Sequence, residues 1–402
     1  MSILPSLEDA YLHIEGEKIV GFGSMKNLSI SDEGFQISGE ALSDIRHPKS
    51  EIVYDATGQF VLPAWCDSHT HIVYAGSRER EFEDKIRGVS YEEIARKGGG
   101  ILNSAQKLNE TSEDDLFQQA WTRLEAVKKM GTGAIEIKSG YGLTVDGELK
   151  MLRVIKCLKA ASNLTIKATF LAAHTYPTAF KNNHQGYIRQ IIDDMLPIVA
   201  DENLADYIDV FCEKGFFSME ETAQILEAGL EYGLKPKIHA NQLHLSGGVQ
   251  VGVKYNAVSV DHLECVSNAE IECLKSGNTI ATLLPTAAFF LRLPYPPARQ
   301  LMEANVAIAL ATDYNPGSSP SGNVPFLVAL SCISMKMTPE EAINAVTLNG
   351  AYAMEIQDEL GSITIGKKAN VIITKKMPSL SYLPYSFGNN LIDKVVIKGV
   401  LQ

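Results

Sequence analysis

The chain has 402 residues, 45% of them hydrophobic and 21% charged, a composition that fits a large globular domain with room for a smaller one. Its net charge of −12 excludes a general affinity for nucleic-acid phosphate, though a few arginines in a pocket could still hold an anionic substrate. No apolar run approaches the roughly 18 residues of a membrane span, Met1–Glu8 lacks the basic-then-apolar layout of a secretory signal, and the cysteines at 66, 157, 212, 265, 273 and 332 show neither zinc-knuckle nor redox spacing.

Buried, reduced thiols in a cytoplasmic protein are therefore expected. The first sixty residues read as short strands: Ala10–Ile14 and Lys18–Phe22 about a turn at Glu15-Gly16-Glu17, then Glu51–Tyr54. The tail has the same character, with Gly361-Ser362-Ile363, Ala369–Ile373 and Lys394–Ile397. One small, β-sandwich-like domain built from both termini, 1–59 and 355–402, is expected around a central domain over 60–354.

That middle alternates apolar strands with amphipathic helices, the pattern of a parallel sheet with crossover helices. The strand candidates are Phe60–Ala64, Ala134–Lys138, Ile166–Ala172, Tyr207–Cys212, Lys237–Ala240, Ala257–Val260, Thr279–Leu283 and Ala307–Ala311. Between them, Leu116, Ala120, Leu124 and Val127 fall on one helical face, as do Ile225, Ala228 and Leu230. Eight such units fit an α/β fold of the TIM-type (β/α)8 barrel, somewhat above its usual ~250 residues; an open doubly wound sheet is the alternative. The long stretch from Ile72 to Gly133 must hold an elaborated loop and more than one helix.

The richest segment is Leu62-Pro63-Ala64-Trp65-Cys66-Asp67-Ser68-His69-Thr70-His71. In an extended chain residues i and i+2 point the same way, so His69 and His71 can converge on one ion, and neutral imidazole suits zinc and iron. Alone, such a pair also fits two polar residues closing a strand. His174, His239, His262 and Asp313, however, each sit at the end of a different strand candidate. In a barrel those ends open on one face, where active sites lie.

The ordered set His69-Thr70-His71, His239, His262 and Asp313 resembles the amidohydrolase superfamily over essentially the whole chain. The narrower resemblance is to the imidazolonepropionase family. It is carried by the segment His69 to Phe82, Gly98-Gly99-Gly100-Ile101, Lys138-Ser139-Gly140-Tyr141-Gly142-Leu143, Ala172-Ala173-His174, Phe211-Cys212-Glu213-Lys214-Gly215 and Asp261-His262-Leu263-Glu264. The resemblance implies that His69, His71, His239 and Asp313 bind one metal ion, zinc or iron. It implies that Arg78, Tyr141, His174 and Gln242 contact substrate, and that Asn315, Gly317 and Ser318 complete the pocket. The reaction implied is hydrolytic ring opening of 4-imidazolone-5-propanoate to N-formimidoyl-L-glutamate. Asp313 and His262 are the expected proton-handling residues.

Three residues need weighing on their own chemistry. Arg78 lies in the charged run Arg78-Glu79-Arg80-Glu81, which by itself fits a solvated surface; the resemblance makes it a fork for the propionate carboxylate. Gln242 stands where related deaminases carry a glutamate, and an amide cannot titrate near neutral pH, which disfavours deamination. Lys214 is near the position of the bridging lysine of two-metal relatives, but Glu213 looks better placed, and the resemblance implies one metal. The partners expected are a small-molecule substrate and a second copy of the chain in a homodimer, with no nucleic acid and no membrane.

Overall fold

The apolar run Tyr207–Cys212 forms a strand over its whole length, and every one of its residues is buried. That is the signature of a strand covered on both faces. In the computed structural model, which describes residues 5–31, 34–39, 42–47, 52–89 and 100–402, it is the fourth of eight parallel strands. The others are Trp65–Thr70, Thr132–Lys138, Thr165–Ala173, Lys235–Ala240, Ser259–His262, Ile280–Leu283 and Ile308–Leu310, each hydrogen-bonded to the next in chain order. Backbone bonds from Asp313 N to His69 O (3.0 Å) and from His71 N to Tyr314 O (2.9 Å) join the last strand's exit to the first. The result is the expected (β/α)8 barrel with helices between its strands.

Several expectations change. The run Phe60–Ala64 is not the first barrel strand. Val61–Pro63 pairs antiparallel with Val371–Thr374 in a small sheet, and barrel strand one begins at Trp65. The uninterrupted apolar character of Phe60 to Cys66 hides this junction, where Ala64 N bonds instead to Asn370 O at 2.9 Å. The second change concerns the helix Met219–Glu231, which buries Thr222, Ile225, Leu226 and Gly229 but leaves Leu230 exposed. In contrast, the helix Glu113–Lys129 buries Leu116, Ala120, Leu124 and Val127 as expected. It starts where Ser112 Oγ accepts from Asp115 N at 3.1 Å, satisfying a free N–H of the first turn. With Glu79–Ile86 and Ile101–Glu110 it fills the long first crossover.

The small sheet is Val400–Leu401, Ile392–Ile397, Val371–Thr374 and Val61–Pro63, in that order. The hairpin Ala10–Glu15/Lys18–Ser24 reaches the tail through Ile19 N to Lys367 O (2.9 Å) and Ala369 N to Glu17 O (2.8 Å). Both ends of the chain thus build the β part, together with the antiparallel strands Leu28–Ser31, Gly34–Gly39 and Leu42–His47. Ile52–Tyr54 carries no strand; Glu51, Gly98 and Gly99 lie outside the described residues. No helix among the described residues is long and apolar enough to cross a membrane.

Candidate active site

The ends of the barrel strands bring the sequence candidates to one mouth. His69 Nε2 and His71 Nε2 stand 3.3 Å apart, and Asp313 Oδ1 lies 3.5 Å from each. His239 joins them with its ring centroid 4.5 Å from that of His69, and its buried Nε2 has no hydrogen-bond partner. Facing imidazole lone pairs repel one another unless a cation lies between them. Ligands about 2.0–2.1 Å from a tetrahedral zinc stand about 3.3–3.4 Å from each other, so the observed spacing fits such an ion. Two overlapping groups of possible ligands occur among the described residues: His69, His71 and Asp313, and His69, His239 and His262.

Carboxylates set the ring tautomers. His69 donates from Nδ1 to Asp261 Oδ2 at 2.6 Å, and His239 from Nδ1 to Asp209 Oδ1 at 3.1 Å, which leaves each Nε2 free as a ligand atom. Burial, aided by the neighbouring Lys138 charge, holds His69, His71 and His239 well below the ordinary histidine pKa. They are therefore neutral, as metal ligands must be. Burial pulls His262 down as well, but Glu264, 3.3 Å from its Nδ1, and the Asp313 and Asp261 carboxylates outweigh it and raise its pKa. Burial pushes the Asp313 carboxyl up to about 6 against the opposing pull of His262, Asn315 and Ser318. The backbone here is unusual: Asn241, His262, Leu263 and Asp313 all have positive φ. The first, second and fourth are residue types that tolerate this region, whereas Leu263 is not, and such strain gathers at functional sites.

Above the histidines, His174 stacks on His71 with centroids 5.5 Å apart, and its Nδ1 donates to Gly140 O at 3.1 Å. Tyr141 crosses His174 edge-on at 5.5 Å. These rings, with Gln242 and Phe211, line one cavity that includes Asp313 and His262. Arg78 is not a surface charge: its Nε donates to Ser104 Oγ at 2.8 Å, while Nη2 is buried without a partner. Gly317 gives the guanidinium its space, since a β-carbon there would stand 2.5 Å from Nη1.

Asn315 spends its amide on the loop. Its Oδ1 accepts from Gly317 N and Ser318 N, both at 2.8 Å, and its Nδ2 donates to Asp313 O at 2.6 Å and Ser318 Oγ at 2.7 Å. Ser318 Oγ in turn donates to Asp313 Oδ2 at 3.1 Å, so Oδ1 is left for the histidine side. Lys214 is exposed. Glu213 accepts from the backbone N–H groups of Lys214, Leu243 and His244 and holds the loop that carries Gln242.

Phe211, Ser104, Asp209, Asp261, Glu264 and Lys138 were not singled out by sequence reasoning as site residues. A signal existed for the charged ones. Asp209 and Asp261 interrupt apolar barrel strands, as in Ile208-Asp209-Val210 and Val260-Asp261, and Lys138 ends one, where a two-sided burial leaves no solvent face for a charge; Glu264 lies two residues past the strand that ends at His262.

Residues 60–401 match the Amidohydrolase family. The chain is 57% identical to the imidazolonepropionase of Flavobacterium johnsoniae, over 99% of this chain and 93% of that protein. Among solved structures it resembles a 5-methylcytosine deaminase from Klebsiella pneumoniae (TM-score 0.71, 16% identity, covering 97% of this chain and 93% of that one). It also resembles an adenosine deaminase from Xanthomonas campestris with bound zinc (TM-score 0.66, 16% identity, covering 98% and 88%).

Proposed function

The chain belongs to the amidohydrolase family and, within it, to the imidazolonepropionases, and from that membership we propose that it opens the ring of 4-imidazolone-5-propanoate with water. It is a hydrolase of a cyclic amide carbon–nitrogen bond, and the product is N-formimidoyl-L-glutamate, a step of histidine degradation. The observation that carries this reading is a cavity lined by His71, His239, Tyr141 and Asp313, beside the convergent His69–His71–Asp313 set, with the guanidinium of Arg78, whose Nη2 is unpaired, 5.8 Å from the Tyr141 ring.

His69, His71, His239 and Asp313 would hold one metal ion, zinc or iron. The orphaned His239 Nε2 and the donor set of three neutral imidazoles with one carboxylate support this. Engagement of Glu213 with backbone N–H groups supports one ion rather than two. When bound, such an ion supplies Lewis acidity and brings the pKa of water toward ~7.

The residues then divide the work. Asp313 accepts a proton from the attacking water and delivers it to the departing ring nitrogen, a role suited to its raised pKa. His262, its pKa raised by Glu264, donates to the ring carbonyl oxygen as negative charge grows there. The stack of His174 on His71 and the Tyr141 edge fix the plane of the ring, and Gln242 adds neutral hydrogen bonds. Arg78 grips the propionate with the nitrogen that Ser104 leaves unused. Asn315 and Gly317 shape the rim, and Ser318 orients Asp313.

The test is incubation of purified protein with imidazolone propionate while its ultraviolet absorbance is followed. Loss of absorbance with formation of N-formimidoyl-glutamate is expected; an unchanged spectrum with metal-replete protein would overturn the reading. A cytoplasmic homodimer is part of the same proposal. Light scattering at about twice the 43.9 kDa chain mass checks the assembly.

A further inference from the structure

Beneath the histidines the barrel holds a buried charge cluster that the reaction does not itself use. Glu136 and Lys138 come from strand two, Asp209 from strand four, Lys237 from strand five and Asp261 from strand six, and all five side chains are sealed from solvent. Lys138 Nζ donates to Glu136 Oε1 and Asp209 Oδ2, each at 2.7 Å, and lies 3.5 Å from Asp261 Oδ2. The two aspartates are those that fix the rings above. Asp209 Oδ1 accepts from both the ring and the backbone of His239, and Asp261 Oδ2 accepts from His69. Ser259 Oγ, 2.5 Å from Asp261 Oδ1, holds that carboxylate from its other side.

We infer that Lys138 is a positioning residue: one ammonium group ties the Asp209–His239 and Asp261–His69 pairs into a single unit and so sets the geometry and affinity of the metal site. This rests on the metal reading given above. A carboxylate behind a ligating histidine holds the ring orientation and raises its basicity, and losing such a partner costs about 10–100-fold in metal affinity. Here one side chain supports two such carboxylates. Without it, Asp209 and Asp261 would lose the one cation they share in a dry interior, and they could relieve the loss by turning or taking up protons. Either response loosens a ring.

Lys237 is the built-in control. It is equally buried and equally charged, but it reaches Glu136 Oε2 and Ser68 O, and neither aspartate. Loss of either lysine removes one buried positive charge from the same cluster; only Lys138 touches the carboxylates that hold ligands.

The experiment compares wild type, Lys138→Met and Lys237→Met as full-length proteins. Zinc affinity is read by chelator competition, and the cobalt-substituted forms by their visible d–d spectra, independently of turnover. Lys138→Met is expected to lose about tenfold or more in zinc affinity and to shift the cobalt bands. Lys237→Met, though destabilised, should bind zinc as wild type does and keep the wild-type spectrum. Equal losses in both variants, or no change in Lys138→Met, would overturn the inference while leaving the metal reading intact. Wild-type protein that binds no metal would overturn that reading and the inference with it. Should Lys138→Met fail to fold, Lys138→Met/Glu136→Gln restores the charge balance of the cluster without the amine, and the same two outcomes decide.

Discussion

Gly317 and Arg78 lie so close that any side chain at 317 must displace the guanidinium: a β-carbon on Gly317 would stand 2.5 Å from Nη1. Gly317→Ala should therefore push Arg78 off the position set by Ser104 Oγ, while metal content stays unchanged. A hydrogen bond to a charged group is worth about 1.5–3 kcal/mol, so kcat/KM should fall roughly ten- to hundred-fold. Steady-state kinetics beside metal analysis checks this; an unaffected kcat/KM removes Arg78 from substrate recognition.

If Arg78 reads the carboxylate, its loss should matter only when a carboxylate is present. Arg78→Ala is expected to cost the acid substrate far more than a substrate amide, and Arg78→Lys should rescue only in part because an ammonium offers a point charge in place of a planar fork. A double cycle of enzyme and substrate variants measures the coupling. Equal penalties with both substrates would return Arg78 to an ordinary charge of its loop.

His239 contributes the unpartnered Nε2 at the floor of the cavity. His239→Ala should lose most of the bound metal and almost all activity, and prolonged dialysis of the wild-type protein against a strong chelator should abolish activity until zinc or iron is returned. Elemental analysis is the measurement. Full retention of metal by the variant would refute the ligand assignment.

Gln242 distinguishes ring opening from deamination, because its amide has no proton to give an amine leaving group. Gln242→Glu should not confer appreciable ammonia release from cytosine or guanine, since the ring-holding stack of His174 and Tyr141 remains. Robust ammonia release from either base by the unmodified protein would overturn the choice of reaction.

Much of the barrel was legible because its strands are short apolar runs bounded by polar residues; Tyr207–Cys212 begins and ends where the run does. The first strand falls a few residues later than expected because the apolar run Phe60–Cys66 continues from Val61–Pro63 into the start of Trp65–Thr70 with only Ala64 between them, so no change of period marks the passage between two sheets. The first-contact residues were legible as histidines and an aspartate at strand ends. Lys138, Asp209 and Asp261 carried only an ambiguous signal, because a charge that alternates with apolar residues looks the same whether it points to solvent or into a barrel. Only closure of the sheet makes that direction inward. Ser104 gave no signal at all: it reaches Arg78 from the helix Ile101–Glu110, at a distance in sequence that no local pattern spans.

The seam of the barrel has a consequence for how the protein is made. His69 and His71 leave the first strand and Asp313 leaves the last, and the backbone bonds between His69, His71, Asp313 and Tyr314 are the ones that join those strands. Beside them, Asp67 accepts from Thr312, 245 positions away in sequence. A ribosome-bound chain that has emerged only through the sixth strand already carries His69, His71 and His239, the histidines proposed as ligands, but it has neither the carboxylate nor the neighbouring strand that brings the rings together. Long-range contacts of this kind form late, after the intervening chain has ordered. On the proposed ligand set, metal capture is coupled to completion of the fold: an unfinished chain offers scattered imidazoles and little selectivity, and a finished one offers an assembled site.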